Sequence, residues 1–498
     1  MTVLVMLLVA LPLLAAAASL AFWRWVVVQQ VISVLVLATC VVLAAVILGR
    51  VSGTGPVAVD IGGWEAPVGI TFVADLLSMI LLVVSLVTVL AVLLFAIGQP
   101  RADKRAFYFH SLYLVLTAGV SASFLTGDLF NLFVAFEVTL SASYVLITLG
   151  GRREQLRPGM TYVVINLLAS TLFLTAVALV YAATGSVNMA DVAVRLAEVP
   201  GGVRLALGAL LLVTFGVKAA LFPLFFWLPD AYPTAPVAVT AVFAGLLTKV
   251  GVYAIIRTHT LLVPDNGLSL LLLVAATLTM VIGVLGAIAQ DDIKRILSFH
   301  IVSQIGYMIF GLALFTVAGV AAAIFYVVHH IPVKTSLFLV NGLVEQTTGT
   351  AALHRLGGLL RRAPLIAGLF LLPALSLAGV PPFSGFLGKL ALVQAGFSRG
   401  AWLVTGVSLL VSILTLFSMT KIWATAFWGR PTADPTAALA EADGGRLRAP
   451  ALTSVATAGL VGVTLAVVVL AGPLFDLCQR AAESLIDPSE YVDAVLAS

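Results

Sequence analysis

Residues 363–397 read APLIAGLFLLPALSLAGVPPFSGFLGKLALVQAGF, a run of 35 residues. As one straight helix this run would extend about 52 Å at 1.5 Å per residue, against a bilayer hydrocarbon core of about 30 Å. Pro381 and Pro382 fall near its middle among Gly379, Gly385 and Gly388, and Lys389 follows them. Proline removes an intrahelical hydrogen bond and kinks the helix. Broken helices at membrane depth are tolerated only against protein or water. The stretch therefore predicts an apolar helix interrupted inside a membrane, with a lysine just past the break.

Residues 202–228 repeat the pattern, with Pro223 five residues after Lys218. A packing kink would explain either break alone. The lysine beside both favours a functional reading. Composition agrees on the setting: 61% of the 498 residues are hydrophobic and only 10% charged, where soluble proteins carry about 25% charged residues. A net charge of +4, scattered over short loops, gives no patch for nucleic acid. Cys40 and Cys478 are the only cysteines, which excludes a disulfide framework or a cysteine metal cluster. The apolar segment from Thr2 to Phe22 lacks a basic leader and reads as a retained first helix.

Apolar runs of about 20 residues, long enough to span, can be centred near fourteen positions: residues 12, 37, 86, 117, 138, 172, 215, 247, 278, 307, 333, 381, 415 and 461. The expectation is an all-α membrane protein, a single integral-membrane unit over 1–498, with a loop at about 430–449. The two broken spans, the seventh and twelfth, are five apart. This suggests inverted repeats of spans 4–8 (about 108–258) and 9–13 (about 268–428), a recurrent transporter plan. Loop charges set the orientation. With the N-terminus outside, inner loops hold Arg24, Arg101, Lys104, Arg105, Arg152, Arg153, Arg157, Lys294, Arg295, Arg355, Arg361, Arg362, Arg430, Arg446 and Arg448. Outer loops hold only Arg50, Arg195, Arg204, Arg257, Arg399 and Arg480. The positive-inside rule then places both termini outside.

Five lysines (Lys218, Lys249, Lys334, Lys389 and Lys421) and one carboxylate, Glu137, lie within apolar runs. An ionisable group at mid-bilayer costs roughly 2.5–3.5 kcal/mol and normally marks an ion or proton path. Glu137 could make a helix-packing hydrogen bond as a protonated acid, but Lys218 offers a basic partner. Opposite charges about 4 Å apart at an effective dielectric near 20 attract by about 4 kcal/mol. Burial disfavours a charged lysine and a carboxylate favours it, so a lysine alternating between the two situations can take up and release a proton. His330 and Lys334 share a helix face at four-residue spacing, with His329 adjacent, and imidazole exchanges protons near neutral pH. Each histidine could equally be a core residue bonded to a carbonyl. Lys421, beside Trp423 and Trp428, reads as snorkelling and is set outside the path. Asp128 reads as the N-cap of the fifth span. Asp291, Asp292, Lys294 and Arg295 read as interfacial anchors, and residues 353–365 as a basic surface segment. The scattered His110, His259, His300 and His354 make no haem or metal site, and no phosphate loop, nucleophile elbow or dinucleotide fingerprint occurs. No cofactor, metal or catalytic residue is expected.

These stretches carry a resemblance. DDIKRILSFHIVSQIGYM (291–308), FGVKAALFPLFFWLPDAYPTAP (215–236), LLTKVGVYAIIR (246–257), TGDLFNLFVAFEV (126–138), HHIPVKTSLFLVNG (329–342) and GVPPFSGFLGKL (379–390) resemble the antiporter-like subunits of respiratory complex I and Mrp antiporters. Within that superfamily the chain is most similar to the D-subunit family of Mrp-type multisubunit sodium/proton antiporters. The resemblance implies that Glu137 pairs with Lys218, and that Lys249, His330 with Lys334, and Lys389 continue a lateral proton relay, with His329 a rival for the histidine's place. It implies a transporter subunit rather than an enzyme, in a cell membrane, partnered by other membrane subunits. Sodium, a hard cation that wants oxygen ligands, is expected to meet this chain only indirectly, since Glu137 is the one carboxylate near mid-membrane and Asp75 and Glu345 sit close to helix ends. Lys389 stands where the related complex I subunit usually carries glutamate. Three other readings are a proton-pumping subunit of an NADH–quinone oxidoreductase, a membrane redox enzyme, and a scaffold. Few cysteines and scattered histidines argue against the second, and the buried charges against the third.

Overall fold

A computed structural model describes residues 1–99, 108–149, 151, 153–263, 267–430 and 447–497. The basic residues Arg101, Lys104, Arg105, Arg152 and Arg446, and most of the expected loop at 430–449, lie outside the described residues. The chain opens with α1 (Thr2–Ala21) and α2 (Val26–Thr54), then a hairpin of β1 (Val57–Asp60) and β2 (Thr71–Ala74). Next come α3 (Leu76–Ile97), α4 (Phe109–Leu125), α5 (Leu129–Thr148), α6 (Arg153–Thr184), the short α7 (Met189–Leu196) and α8 (Gly201–Ala219). The second half holds α9 (Val237–Leu262), α10 (Ser269–Ile288), α11 (Ile293–Ala313) and α12 (Val317–Thr348). It continues with α13 (Pro364–Ala378) and α14 (Ser384–Ser398), then α15 (Trp402–Trp428) and α16 (Ala451–Val469). The short α17 (Ala471–Ile486) and α18 (Ser489–Leu496) close the chain.

Twelve of these helices are long and apolar enough to cross a membrane. The shorter α4 and the interrupted pair α13–α14 bring the spans to the fourteen expected. The chain is a multi-pass, almost wholly helical membrane protein. Its two-stranded hairpin was not foreseen, because four-residue strands such as VAVD and TFVA leave too little alternation to register.

Polar side chains start the helices where the sequence supplies a cap. Asp75, Asp128, Asn188, Asp292 and Thr316 each accept from a backbone N–H of the first turn, which satisfies donors that would otherwise be orphaned. α9, α11 and α12 are buried along almost their whole length, whereas α1, α2, α10 and α16 show one face outward. Small residues let the inner helices close up. A Cβ on Gly283 of α10 would sit 2.4 Å from the Ser303 nitrogen on α11, the close approach that glycine permits between membrane helices.

Two features recur five spans apart. α8 ends on Ala220 and α13 on Gly379, both left-handed, at φ 61° and 85°. In both, the next N–H turns back to a carbonyl five residues earlier, Leu221 to Gly216 at 2.9 Å and Val380 to Leu375 at 3.1 Å. Pro223 and Pro382 then follow in cis peptide bonds, the latter preceded by Pro381. The starts of α5 and α11 match as well. Leu129 donates to the Val187 carbonyl at 2.8 Å and Ile293 to the Ala351 carbonyl at 3.0 Å.

One residue departs from the sequence reading. Arg257 is not in an outer loop but inside α9, 3% exposed, and paired with Asp75 at 2.5 Å. A charge near the end of an apolar run looks like a loop residue unless its partner, 182 positions away, is known.

Candidate functional site

The site begins on α5 and α6. Glu137 of α5 is half-buried on the flank of the bundle and accepts a short hydrogen bond from the Ser170 hydroxyl of α6. Lys218, in the last turn of α8, points its ammonium to the same Ser170 oxygen at 3.1 Å and to the Asn166 carbonyl at 3.2 Å. It also lies 5.8 Å from the centre of the Phe136 ring. Glu137 and Lys218, which the resemblance pairs, are thus joined through Ser170. Sequence alone gives no hint of Ser170, since serine is common in membrane helices and usually caps a local carbonyl.

α9 brings the next lysine. Its turn at Phe243–Leu247 is widened to a π turn, a form frequent at functional sites. Lys249 follows at once and bonds the Ala244 carbonyl at 2.5 Å and the Thr248 hydroxyl at 3.2 Å. Two glycines seat this helix. A Cβ on Gly245 would lie 2.3 Å from the Thr335 hydroxyl of α12, and one on Gly251 would lie 2.9 Å from the Lys218 carbonyl carbon. α9 therefore touches both the end of α8 that carries Lys218 and the face of α12 that carries Lys334.

α12 holds His329, His330 and Lys334, all fully buried. Adjacent helical residues point about 100° apart, so the two histidines face different neighbours. His330 lies within electrostatic range of Lys249, Lys334, His329 and His300. Neither of its ring nitrogens nor the Lys334 ammonium has a protein hydrogen-bond partner. His329 instead bonds Ser384 at 2.8 Å, and Ser384 lies 3.2 Å from Ser376 across the α13–α14 break.

Lys389 sits just past that break. Its ammonium donates to the Leu377 and Ala378 carbonyls at the end of α13, both at 3.1 Å, and to Ser412 of α15 at 3.0 Å. A cation at a helix C-terminus meets the negative end of the helix dipole. The Lys389 ammonium lies 5.0 Å from the Tyr307 ring. Tyr307 stacks on Tyr326 at 5.4 Å, and Tyr326 meets His329 at 5.4 Å. Tyr326 also bonds Gln304, and His300 bonds Ser418 at 2.9 Å. The two tyrosines and Gln304 were not singled out by the sequence, and His300 was set aside there as one of the scattered histidines. They are ordinary-looking polar residues of core helices, and only the fold lines Tyr326 and Tyr307 up between His329 and Lys389, with Gln304 bonded to Tyr326.

The remaining charges stay outside this row. Lys421 bonds the Ile288 and Gln290 carbonyls and Asp291, and that contact holds the Asp291 carboxyl below its usual range. Lys294 pairs with Glu345 at 2.8 Å and Arg295 with Asp230 at 3.0 Å. Among the described residues no three His, Cys, Asp or Glu side chains converge as a metal site would require.

A family profile described as "NADH:quinone oxidoreductase/Mrp antiporter, TM" matches residues 126–415. The chain belongs to this family. It is 43% identical to the D subunit of the Na(+)/H(+) antiporter of Alkalihalophilus pseudofirmus, over 99% of each chain. It is also similar, at 37% identity, to a chain in the structure of the Mrp complex from Dietzia sp. DQ12-45-1b. That superposition has a TM-score of 0.93 and covers 100% of both chains. A chain of respiratory complex I from Thermus thermophilus shares the fold, at TM-score 0.75 and 24% identity over 94% of this chain and 99% of that one.

Ser170 gives this family member a directly testable joint. Ser170→Ala removes a hydroxyl that bonds both charges, and hydrogen bonds to charged groups contribute about 1.5–3 kcal/mol. The expected result is a loss of antiport of roughly ten- to a hundredfold in assembled complexes, read as sodium-dependent collapse of a pH gradient in vesicles. Unchanged antiport would mean that Glu137 and Lys218 do not act through Ser170.

Proposed function

We propose that this chain is the proton-carrying subunit of a multisubunit sodium/proton antiporter, a secondary transporter of the cell membrane driven by the proton gradient. The observation that carries the reading is the row of buried basic groups running across the bundle. It leads from Glu137 through Ser170 to Lys218, on to Lys249, Lys334 and His330, and then by His329, Tyr326 and Tyr307 to Lys389. Both histidines have a place in it, His330 beside Lys249 and Lys334, His329 toward Lys389. A buried histidine and lysine without protein partners are costly in a dry interior, which supports a path that water can enter. Two inverted repeats, at about 108–258 and 268–428, fit the matching helix breaks and matching caps. They place one broken helix, with a lysine beside the break, in each half. Both termini then lie outside, as the loop charges favour; the relocation of Arg257 into α9 removes one outer charge and strengthens that balance.

Partners of the membrane-subunit kind are supported by Glu137 itself. A carboxylate on the flank of the bundle costs roughly 2.5–3.5 kcal/mol against lipid, and a neighbouring subunit would cover it. The alternative, a proton-pumping subunit of an NADH–quinone oxidoreductase, could use the same row. The relative at 43% identity, named as an antiporter component, favours the antiporter.

Sodium is placed mostly on the partner subunits. It is a hard cation and prefers oxygen ligands, as Ca²⁺ and Mg²⁺ do. Glu137 shares its surroundings with a lysine, while Asp75 and Glu345 are tied to Arg257 and Lys294. Purification of the intact complex tests the reading. Only membrane subunits, with no flavin or iron–sulfur absorbance, are expected, and a density map at high sodium should show no ion coordinated beside Glu137. Flavin and iron–sulfur subunits would favour the oxidoreductase instead. An ion held at Glu137 by several oxygens of this chain would overturn the assignment of sodium to the partners.

A further inference from the structure

Lys249, Tyr253 and Arg257 follow one another at four-residue spacing on α9. They therefore share one face, each about 6 Å of helix rise from the next. All three are buried. The Tyr253 hydroxyl donates to the Phe124 carbonyl at 2.8 Å. The Arg257 guanidinium lies 5.6 Å from the Tyr253 ring and 4.8 Å from the ring of Tyr491 on α18. One Arg257 nitrogen bonds Asp75 Oδ2 at 2.5 Å, while the other Asp75 oxygen caps α3 through the Ser78 N–H at 2.9 Å. Asp75 and Tyr491 in turn line a cleft of about 350 Å³ bounded by the end of α2, the start of α3, and α17 and α18. Glu483, Asp487 and Glu490 also line it, with Arg480 the one basic residue among them. Between this cleft and Lys249, Arg257 and Tyr253 follow one another along that face of α9.

The Arg257–Asp75 pair is built to hold without being locked. Its side chains are 4% and 10% exposed, so solvent hardly reaches it. Arginine binds carboxylate most firmly through a two-point fork, yet here one nitrogen makes the bond, and the buried Arg257 Nε has no partner. A buried ion pair is weak support for stability, because an apolar pair of the same volume often does as well or better. The cleft that Asp75 and Tyr491 line also holds Glu483, Asp487 and Glu490, so carboxylates lie on the side toward which Arg257 would turn. Acid-lined clefts also gather cations from solution.

We propose that this cleft is the outer opening of the path to Lys249, and that the Arg257–Asp75 pair is its gate, shut in this structure. The proposal rests on the relay reading for what passes through the gate, and on the outside placement of the termini for the side to which it opens. When Arg257 turns toward the acidic rim, water reaches Tyr253 and the face that leads to Lys249. When it returns to Asp75, the face is sealed.

The test uses the whole complex in right-side-out vesicles and a membrane-impermeant methanethiosulfonate reagent applied outside. Tyr253→Cys places a reporter behind the gate, and the native Cys40 and Cys478 are buried. Asp75→Asn in that background removes the charge but keeps a residue able to cap α3. Labelling is expected to rise at least tenfold, the change that about 1.4 kcal/mol of lost closure would give. Equal labelling with and without Asp75→Asn would overturn the gate. If the single change hinders assembly, the Asp75→Asn, Arg257→Gln double variant leaves no orphaned buried charge and is read the same way. The pH gradient of sodium-free vesicles gives the second readout. Asp75→Asn should make it decay faster, and adding Lys249→Ala should restore slow decay. A leak that persists without Lys249 would overturn the route to that lysine. Raised labelling with no leak would keep the gate and count against Lys249 as a proton carrier, which separates this proposal from the relay it rests on.

Discussion

Antiport is expected to fall to background in complexes carrying Glu137→Ala or Lys218→Ala, while the amount of assembled complex stays close to that of the wild type. Lys218 is 5% exposed and tied to Glu137 through Ser170. Removing the carboxylate leaves a buried ammonium with only a hydroxyl and a carbonyl. That favours its neutral form and stops it from cycling between charged and neutral states. Removing the lysine leaves Glu137 with Ser170 alone and severs the link toward α9. Assembly is spared because alanine at 137 leaves no charge to cover on the flank, and the packing of α8 rests on its own buried apolar residues such as Leu211 and Phe215. The measurement is sodium-dependent dissipation of a pH gradient in vesicles, normalised to assembled complex. Wild-type antiport by either variant would remove the pair from the path.

Lys389→Glu should abolish antiport, whereas Lys389→Arg should leave it impaired but measurable. The ammonium donates to two carbonyls at the end of α13 and to Ser412. A glutamate there sets an acceptor against two carbonyls at the negative end of a helix dipole, with only the Ser412 hydroxyl able to donate to it. Hydrogen bonds from a charged donor contribute about 1.5–3 kcal/mol each, so the charge reversal also loosens the α13–α14 break. Arginine keeps the charge and the donors but does not readily give up a proton. It is also larger, and a Gly379 Cβ would already be only 2.8 Å from the lysine side chain. Equal activity of the two variants, measured in the same vesicle assay, would show that no titrating cation is needed beyond the break.

The lysines and the breaks were legible in the sequence for a simple reason. A charge or a Pro-Pro pair inside an apolar run is improbable enough to stand out without any partner. The same logic marked Asp128 as a cap. It could not mark Ser170, Ser384 or Ser412, because hydroxyls cost little in a membrane helix and their significance lies in what faces them. Nor could it order His329 and His330, since that depends on which neighbours α12 turns each ring toward. Tyr307 and Tyr326 look like ordinary core aromatics until the packing of α11 on α12 stacks them beside Lys389. Arg257 was misplaced because its role is defined by Asp75, on a different helix, and by Tyr491 at the far end of the chain.

The most direct test of the relay is proton uptake by the purified complex carrying Lys249→Ala, reconstituted into sodium-loaded liposomes with a pH-sensitive dye inside. Dilution into sodium-free buffer drives sodium out and, in the wild type, protons in. Lys249 is fully buried at the centre of the row, held by the Ala244 carbonyl and Thr248, and no other basic side chain replaces it there. The variant should acidify its lumen no faster than protein-free liposomes. Sodium-dependent acidification at the wild-type rate, from liposomes shown to hold the fully assembled variant, would contradict the claim that protons cross this chain through its buried lysines.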